Sequence, residues 1–358
     1  MTGAPPTPPS PGSSPPATTV ARLIPGTVSP GRLAALRTGA VMARAEAAIV
    51  TLTGPGAVTA AQGLLTNDVE QPGDGAFVYG ALLTPKGMIV VDAWVGRLGA
   101  TMSFAVAAEG RERALAIFTR SVPPRLARLV DRTAELAVYR LAGPNALTVA
   151  EAAGLPVPSG PGRVLAAPGG TSEIARATEG APFTLQLTMP TAETEVLTAR
   201  LAAAGAVPAD AATLELARIL AGWPRLGAEV DDKTIPQEVR YDELGGVSYT
   251  KGCYTGQETV SRLHFRGHTN RYLRGLLFDA EPPATPADGW SGVTHLDREV
   301  GRVTSLAWVP ESGVAGGGRW IGLALVRREV GSGVMVRAAG RDARVVDLPF
   351  GTPFVGPA

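Results

Sequence analysis

Cys253 is the only cysteine in 358 residues, and glycines flank it in the run Lys251-Gly252-Cys253-Tyr254-Thr255-Gly256-Gln257-Glu258. An ammonium group facing a thiol favours the thiolate, so Lys251 is a candidate activator of Cys253. Gly252 and Gly256 would let the backbone turn tightly and approach a ligand closely. Gln257 and Glu258 add an amide and a carboxylate able to hydrogen-bond a heterocycle. Against this stands the commoner use of a lone cysteine as a small, inert core residue. The residue types alone leave both readings open.

A basic stretch follows directly. Between Thr259 and Phe278 lie Arg262, Arg266, Arg271, Arg274, His264 and His268, without one acidic residue. It is either a solvated face or a landing strip for phosphates or carboxylates, which guanidinium groups bind bidentately. Phe265 and Tyr272 interleave it sparsely, so a tRNA-binding module is one reading of the stretch. His264 and His268 have the offset of a helical zinc pair, but Gly267 and the lack of neighbouring carboxylates or cysteines argue against a metal site. One cysteine cannot ligate a four-thiolate iron–sulfur cluster. No GxGxxG between strand and helix, no GxxxxGK[ST] and no GxSxG occurs, so dinucleotide, P-loop and hydrolase-elbow readings lack their signatures.

The elements that must position these residues are legible in outline. The length suggests two or three units, at about 100 to 200 residues per domain. Apolar residues at 45% and charged residues at 18% are an ordinary globular balance. A net charge of +1 argues against a DNA-coating protein while hiding local patches. The single cysteine precludes an internal disulfide and, with no signal-peptide pattern at the first residues, points to the cytoplasm. No apolar run is long enough to span a membrane. Residues 1–25, rich in Pro, Ser, Thr and Gly, read as a disordered tail.

Strands are expected at 47–53, 77–84, 88–95 and 101–107, with a helix over 111–122. Leu52-Thr-Gly-Pro-Gly-Ala-Val-Thr echoes Leu141-Ala-Gly-Pro-Asn-Ala-Leu-Thr, which suggests two related α+β halves. The second half is expected to continue through strands near 163–167 and 183–189 and helices near 191–204 and 210–221. Beyond residue 270 short apolar runs with Gly-rich joints predict an all-β barrel.

With those elements in place, the run from Lys251 to Glu258 resembles the K-G-C-Y-x-G-Q-E signature of the folate-binding YgfZ family, relatives of the glycine-cleavage T-protein (aminomethyltransferase) that include iron–sulfur assembly factors. Leu64 to Val69 resembles the family's L-x-T-N-D-V segment, and Leu83 to Gly87 with Asp92 resembles its hairpin. Ala217-Arg218 through Gly227, Ile235 to Glu238, Gly301 to Ser305 and Leu348 to Phe350 extend the likeness over residues 40–352.

The resemblance implies an α+β fold of two GcvT-like folate-binding modules, 26–135 and 136–268, with a C-terminal antiparallel β-barrel, 269–358, around a central channel holding tetrahydrofolate. It assigns Asp92 an acid–base role near folate and Cys253 a reactive or partner-contacting one. It places Arg218, Glu238, Lys251, Gly252, Tyr254, Gly256, Gln257, Glu258 and Arg262 as folate-binding candidates. The T-protein pattern Arg-x-Glu-x-Gly is here Arg218-Ile-Leu220-Ala-Gly222, so a carboxylate is absent at Leu220. That departure and the cysteine favour an accessory factor whose partners are folate and iron–sulfur enzymes or their assembly factors, including tRNA-modifying ones. The alternatives are a folate-dependent aminomethyl or methyl transferase and a tRNA-binding module.

Overall fold

A computed structural model of the chain describes residues 20–283, 291–310 and 317–351. Its first sheet is antiparallel, in the order Phe77–Leu83, Ile89–Leu98, Thr101–Ala107, Ala47–Thr53 and Arg128–Asp131. Phe77–Leu83 is buried at every position, as an unbroken apolar strand covered on both faces must be. The turn after it closes through Thr84 N–H donating to the Met88 carbonyl at 2.8 Å, and Gly87 takes φ +87° there.

The second sheet runs Val207–Pro208, Val41–Arg44, Leu136–Ala142, Leu185–Pro190, Glu173–Arg176 and Arg163–Ala166. Val41–Arg44, early in the chain, pairs antiparallel with Leu136–Ala142. The N-terminal segment thus completes the second sheet, and the spatial division differs from a cut of the sequence at residue 135. The sequence echo corresponds to a repeated local structure. Ala47–Thr53 and Leu136–Ala142 each lead through a Gly-Pro turn into a short helix, Ala57–Gln62 and Ala146–Ala152. The glycines that make these turns, Gly54 and Gly143, have φ +136° and +112°, a region disfavoured for other residues.

Six strands close the C-terminal barrel: Arg298–Pro310, Gly292–His295, Met335–Ala338, Arg341–Val346, Arg271–Phe278 and Gly318–Arg327, the last pairing back onto the first. Ala21–Leu23 joins its outside, parallel to Arg298–Pro310. The expected tail therefore ends in an ordered strand; residues 1–19 lie outside the described residues. Helix Ala211–Ala221 joins the parts. Asp210 caps its start by accepting from Thr213 N–H, and Gly222 in the left-handed region ends it. Among the described residues no helix is long and apolar enough to cross a membrane.

Candidate functional site

Asp92 and Trp94 lie two apart on Ile89–Leu98 and so face the same side of the sheet. Tyr79 stands opposite Trp94 on the neighbouring strand. Tyr79 hydroxyl lies 2.8 Å from Asp92 Oδ2 and 3.0 Å from the Tyr241 hydroxyl. Burial pushes the Asp92 carboxyl above its ordinary range; Glu109 adds to this, while the Tyr79 hydroxyl, a backbone N–H and Arg140 oppose it. Burial and the Asp92 charge also hold both tyrosines well above the usual phenol range.

Asp92, with Trp94, borders a cavity of about 380 Å³ where the two sheets meet helix Ala211–Ala221 and the segment Trp223 to Leu226; the two tyrosines stand behind Asp92. Its walls include Trp94, Phe183 and Trp223. The Trp94 ring stacks on Trp223 at 5.5 Å and meets the edge of Phe183 at 4.8 Å. Trp223 is buried, and its Nε1 has no protein partner among the described residues. Flat apolar walls beside a half-buried carboxylate suit a flat heterocycle that presents an N–H donor.

Arg218 also borders the cavity but is fully engaged within the protein. Its Nε and one NH2 hydrogen bind Glu215, NH1 binds Glu229 and the Trp223 carbonyl, and NH2 also reaches Ser305 on the barrel. All five guanidinium donors are accounted for. The two carboxylates hold its pKa above the ordinary arginine value against burial. Arg218 thereby fixes helix Ala211–Ala221 to the barrel.

Among the described residues, none of the signature run lines this cavity. Lys251 is buried and points its Nζ at three carbonyls, those of Gln62, Leu65 and Asn67, at 2.7, 2.8 and 2.7 Å. Burial lowers its pKa to about 8 against the pull of Asp68 and Glu70. Its ammonium thus binds the segment after helix Ala57–Gln62, so the expected role as an activator facing the thiol is not what the geometry provides. Cys253 is exposed.

Gly252 is exposed, and a Cβ there would meet nothing within 4 Å. Gly256 differs: at φ +83° it packs so tightly that a Cβ would fall 2.6 Å from the Thr84 carbonyl oxygen. Tyr254 is buried with its hydroxyl unpartnered among the described residues, and burial raises its pKa. Gln257 and Glu258 begin helix Gln257–Arg266, where Glu258 and Arg262 are exposed. Glu238 pairs with Arg271 at 2.8 Å and accepts from the Ile235 N–H. Arg274 pairs with Asp347. Half of the arginines in the basic stretch are therefore tied down, and Arg262 and Arg266 remain on the exposed helix face. His264 stacks on Tyr249 at 3.6 Å and approaches Asp242 at 3.3 Å.

The structure thus brings Asp92 and Arg218 to one cavity and sets Lys251, Cys253, Gly256 and Gln257 on a separate loop and helix start. Sequence reasoning missed Tyr79, Trp94, Arg140, Phe183, Trp223 and Tyr241. Only Trp94 carried a local signal, since the period of two along a strand puts it on the face of Asp92. Tyr79 lies on the partner strand of the same hairpin, and the others come from distant segments.

The comparisons with known proteins agree with this architecture. A family model described as the GCVT N-terminal domain matches residues 34–155. An aminomethyltransferase of Rubrobacter xylanophilus is 32% identical over 309 residues, covering 84% of this chain and 80% of that protein. The tRNA-modifying protein YgfZ of Vibrio vulnificus is 40% identical over 92 residues, 26% of this chain and 27% of its own length. The same-named protein of Escherichia coli is 49% identical over 55 residues, 15% and 17% of the two chains. In fold, the chain resembles the crystal structure of glycine cleavage system aminomethyltransferase T from Bartonella henselae, with a TM-score of 0.75 over 90% of this chain and 89% of that one, at 18% identity.

Proposed function

The chain belongs to the aminomethyltransferase family, and on that premise we propose that its central cavity binds tetrahydrofolate in an accessory protein that supports iron–sulfur enzymes, tRNA-modifying ones among them. The observation that carries the folate reading is Asp92, half-buried, lining a cavity of about 380 Å³ together with the Trp94 and Trp223 rings. Stacking walls take a pterin face, and the Asp92 carboxylate takes one of its N–H groups. The accessory role is supported by the signature run and by the higher identity of the short stretches shared with proteins named YgfZ. Exposed Cys253 is then the group offered to partner proteins in the cytoplasm, apart from the ligand.

A second reading, folate-dependent aminomethyl transfer, is favoured by the relative of that name, whose likeness extends over most of both chains. In it Asp92 exchanges a proton with the amine or the pterin. Tetrahydrofolate binding by wild type, Asp92→Asn and Cys253→Ala, paired with complementation of a strain lacking the gene, separates the readings. The accessory reading expects Cys253→Ala to bind folate normally and fail to restore iron–sulfur enzyme activity. Turnover of an aminomethyl donor that Asp92→Asn abolishes and Cys253→Ala leaves intact would sink it in favour of the transferase.

A further inference from the structure

Four arginines border the cavity, Arg44, Arg140, Arg218 and Arg225. Arg44 is exposed, Arg225 lies 3.9 Å from Glu109 and 3.6 Å from Glu215, and the surroundings of Arg140 and Arg218 differ. Arg218 has two carboxylates, a carbonyl and a hydroxyl on its five donors. Arg140 has one acceptor, Gln186 Oε1, at 3.4 Å from Nε and 3.3 Å from NH2. Among the described residues no carboxylate forms an ion pair with it, although Asp92 borders the same cavity and its charge acts on Arg140. Burial brings the Arg140 pKa down to about 10. Arg140 is half-buried, and with no ion pair and one shared side-chain acceptor it keeps guanidinium donors for an anion beside it.

The arginine is also held in place. It sits mid-strand on Leu136–Ala142, directly across from Gln186 on one side and Ala43 on the other, so the three share a face. Its guanidinium lies 4.3 Å from the centre of the Phe183 ring, a cation–π contact that fixes its plane. Gln186 is itself buried and orients one edge.

We infer that Arg140 is the receptor for a carboxylate group of the cavity's ligand. The proposal rests on the folate reading of this cavity and adds to it a named recognition group. A carboxylate matches the planar fork in charge and shape. The carboxylate belongs either to the glutamyl tail of the folate or to a small amino acid bound with it, whose amine would then meet Asp92.

The test uses the full chain, with ligand binding read from tryptophan fluorescence and calorimetry. The probes are tetrahydrofolate, 6-methyltetrahydropterin, which has no carboxylate, and sarcosine, which has no pterin. Arg140→Met is expected to weaken at least one carboxylate-bearing probe about tenfold or more, as loss of a charge-assisted hydrogen-bond pair does, and to leave 6-methyltetrahydropterin within about twofold. Loss confined to tetrahydrofolate assigns the glutamyl tail, and loss for sarcosine assigns the separate amino acid. Arg140→Lys, which keeps the charge without the fork, is expected to fall between. Without ligand, Arg140→Met should melt no lower than wild type, because it removes a half-buried cation that has no ion pair. Equal loss for the carboxylate-free pterin, or no loss for either carboxylate-bearing probe, overturns the proposal, as does a large drop in melting temperature without ligand. Wild type that binds neither pterin probe defeats the folate reading by itself, and the sarcosine arm then decides Arg140 alone.

Discussion

The Tyr79 hydroxyl lies between the Asp92 carboxylate, at 2.8 Å, and the Tyr241 hydroxyl, at 3.0 Å. It has one proton for two acceptors. Tyr241 is wholly buried, and Tyr79 is its only hydroxyl partner among the described residues. The chain is best satisfied when Tyr241 donates to Tyr79 and Tyr79 donates to ionised Asp92. Tyr79→Phe deletes that donor without changing the ring, so the Asp92 carboxyl, already raised by burial, should titrate higher still. Carboxyl carbon resonances followed against pH in the two proteins check this. A lower Asp92 pKa in Tyr79→Phe would show that the hydroxyl is not its donor.

Asp92→Asn should stabilise the protein at neutral pH. A carboxyl whose pKa is raised on folding binds more protons in the folded state, so its stability contribution falls as pH climbs from the unfolded pKa through the higher folded one. Below the ordinary carboxylate range the side chain is neutral in both states, and wild type and variant should converge. Denaturant unfolding at acidic and neutral pH reads both ends, and an Asn variant less stable than wild type at neutral pH contradicts the assignment. The gain should accompany weaker ligand binding, the usual trade at a functional group.

Lys251→Met should cost about 2 to 4 kcal/mol, because it leaves buried carbonyl oxygens of Gln62, Leu65 and Asn67 short of a donor. The wild-type lysine has a folded pKa near 8, below its unfolded value of 10.5. The unfolded state therefore binds more protons between those values, and this group's contribution to stability rises with pH across that window. Unfolding of Lys251→Met should lack the increment, and thermal melts from pH 7 to 10 measure it.

Gly256→Ala is expected to be more damaging than Gly252→Ala. The former forces a Cβ into a left-handed backbone 2.6 Å from the Thr84 oxygen, whereas the latter meets open space. A loss of about 2 kcal/mol or more at Gly256 and less than about 0.5 at Gly252 follows. Equal effects in chemical denaturation would mean that the glycines act through something other than backbone geometry.

Much of the local structure could be read directly. Ala47–Thr53, Thr101–Ala107 and helix Arg111–Ser121 fall where periodicity and Gly-Pro breaks put them. Glu173–Arg176 and Arg128–Asp131 were not visible, because short strands with charged ends look like loops until a neighbour pairs with them. Val41–Arg44 crosses into the second sheet, a choice made by long-range pairing with Leu136–Ala142 that no local pattern encodes.

The site divides in the same way. By itself the sequence determined the signature run, the α+β and barrel classes and Asp92 as a hairpin carboxylate, since each depends on residues close together in the chain. Which groups meet was decided only in three dimensions. Tyr79 reaches Tyr241 across 162 positions, Lys251 turns inward to carbonyls 184 to 189 positions away, and Arg140 faces the cavity with a single side-chain acceptor while Arg218 is fully paired. Hydrogen-bond satisfaction and burial are properties of the packed whole; a sequence names the donors and acceptors, and only the fold determines which of them are left for a ligand.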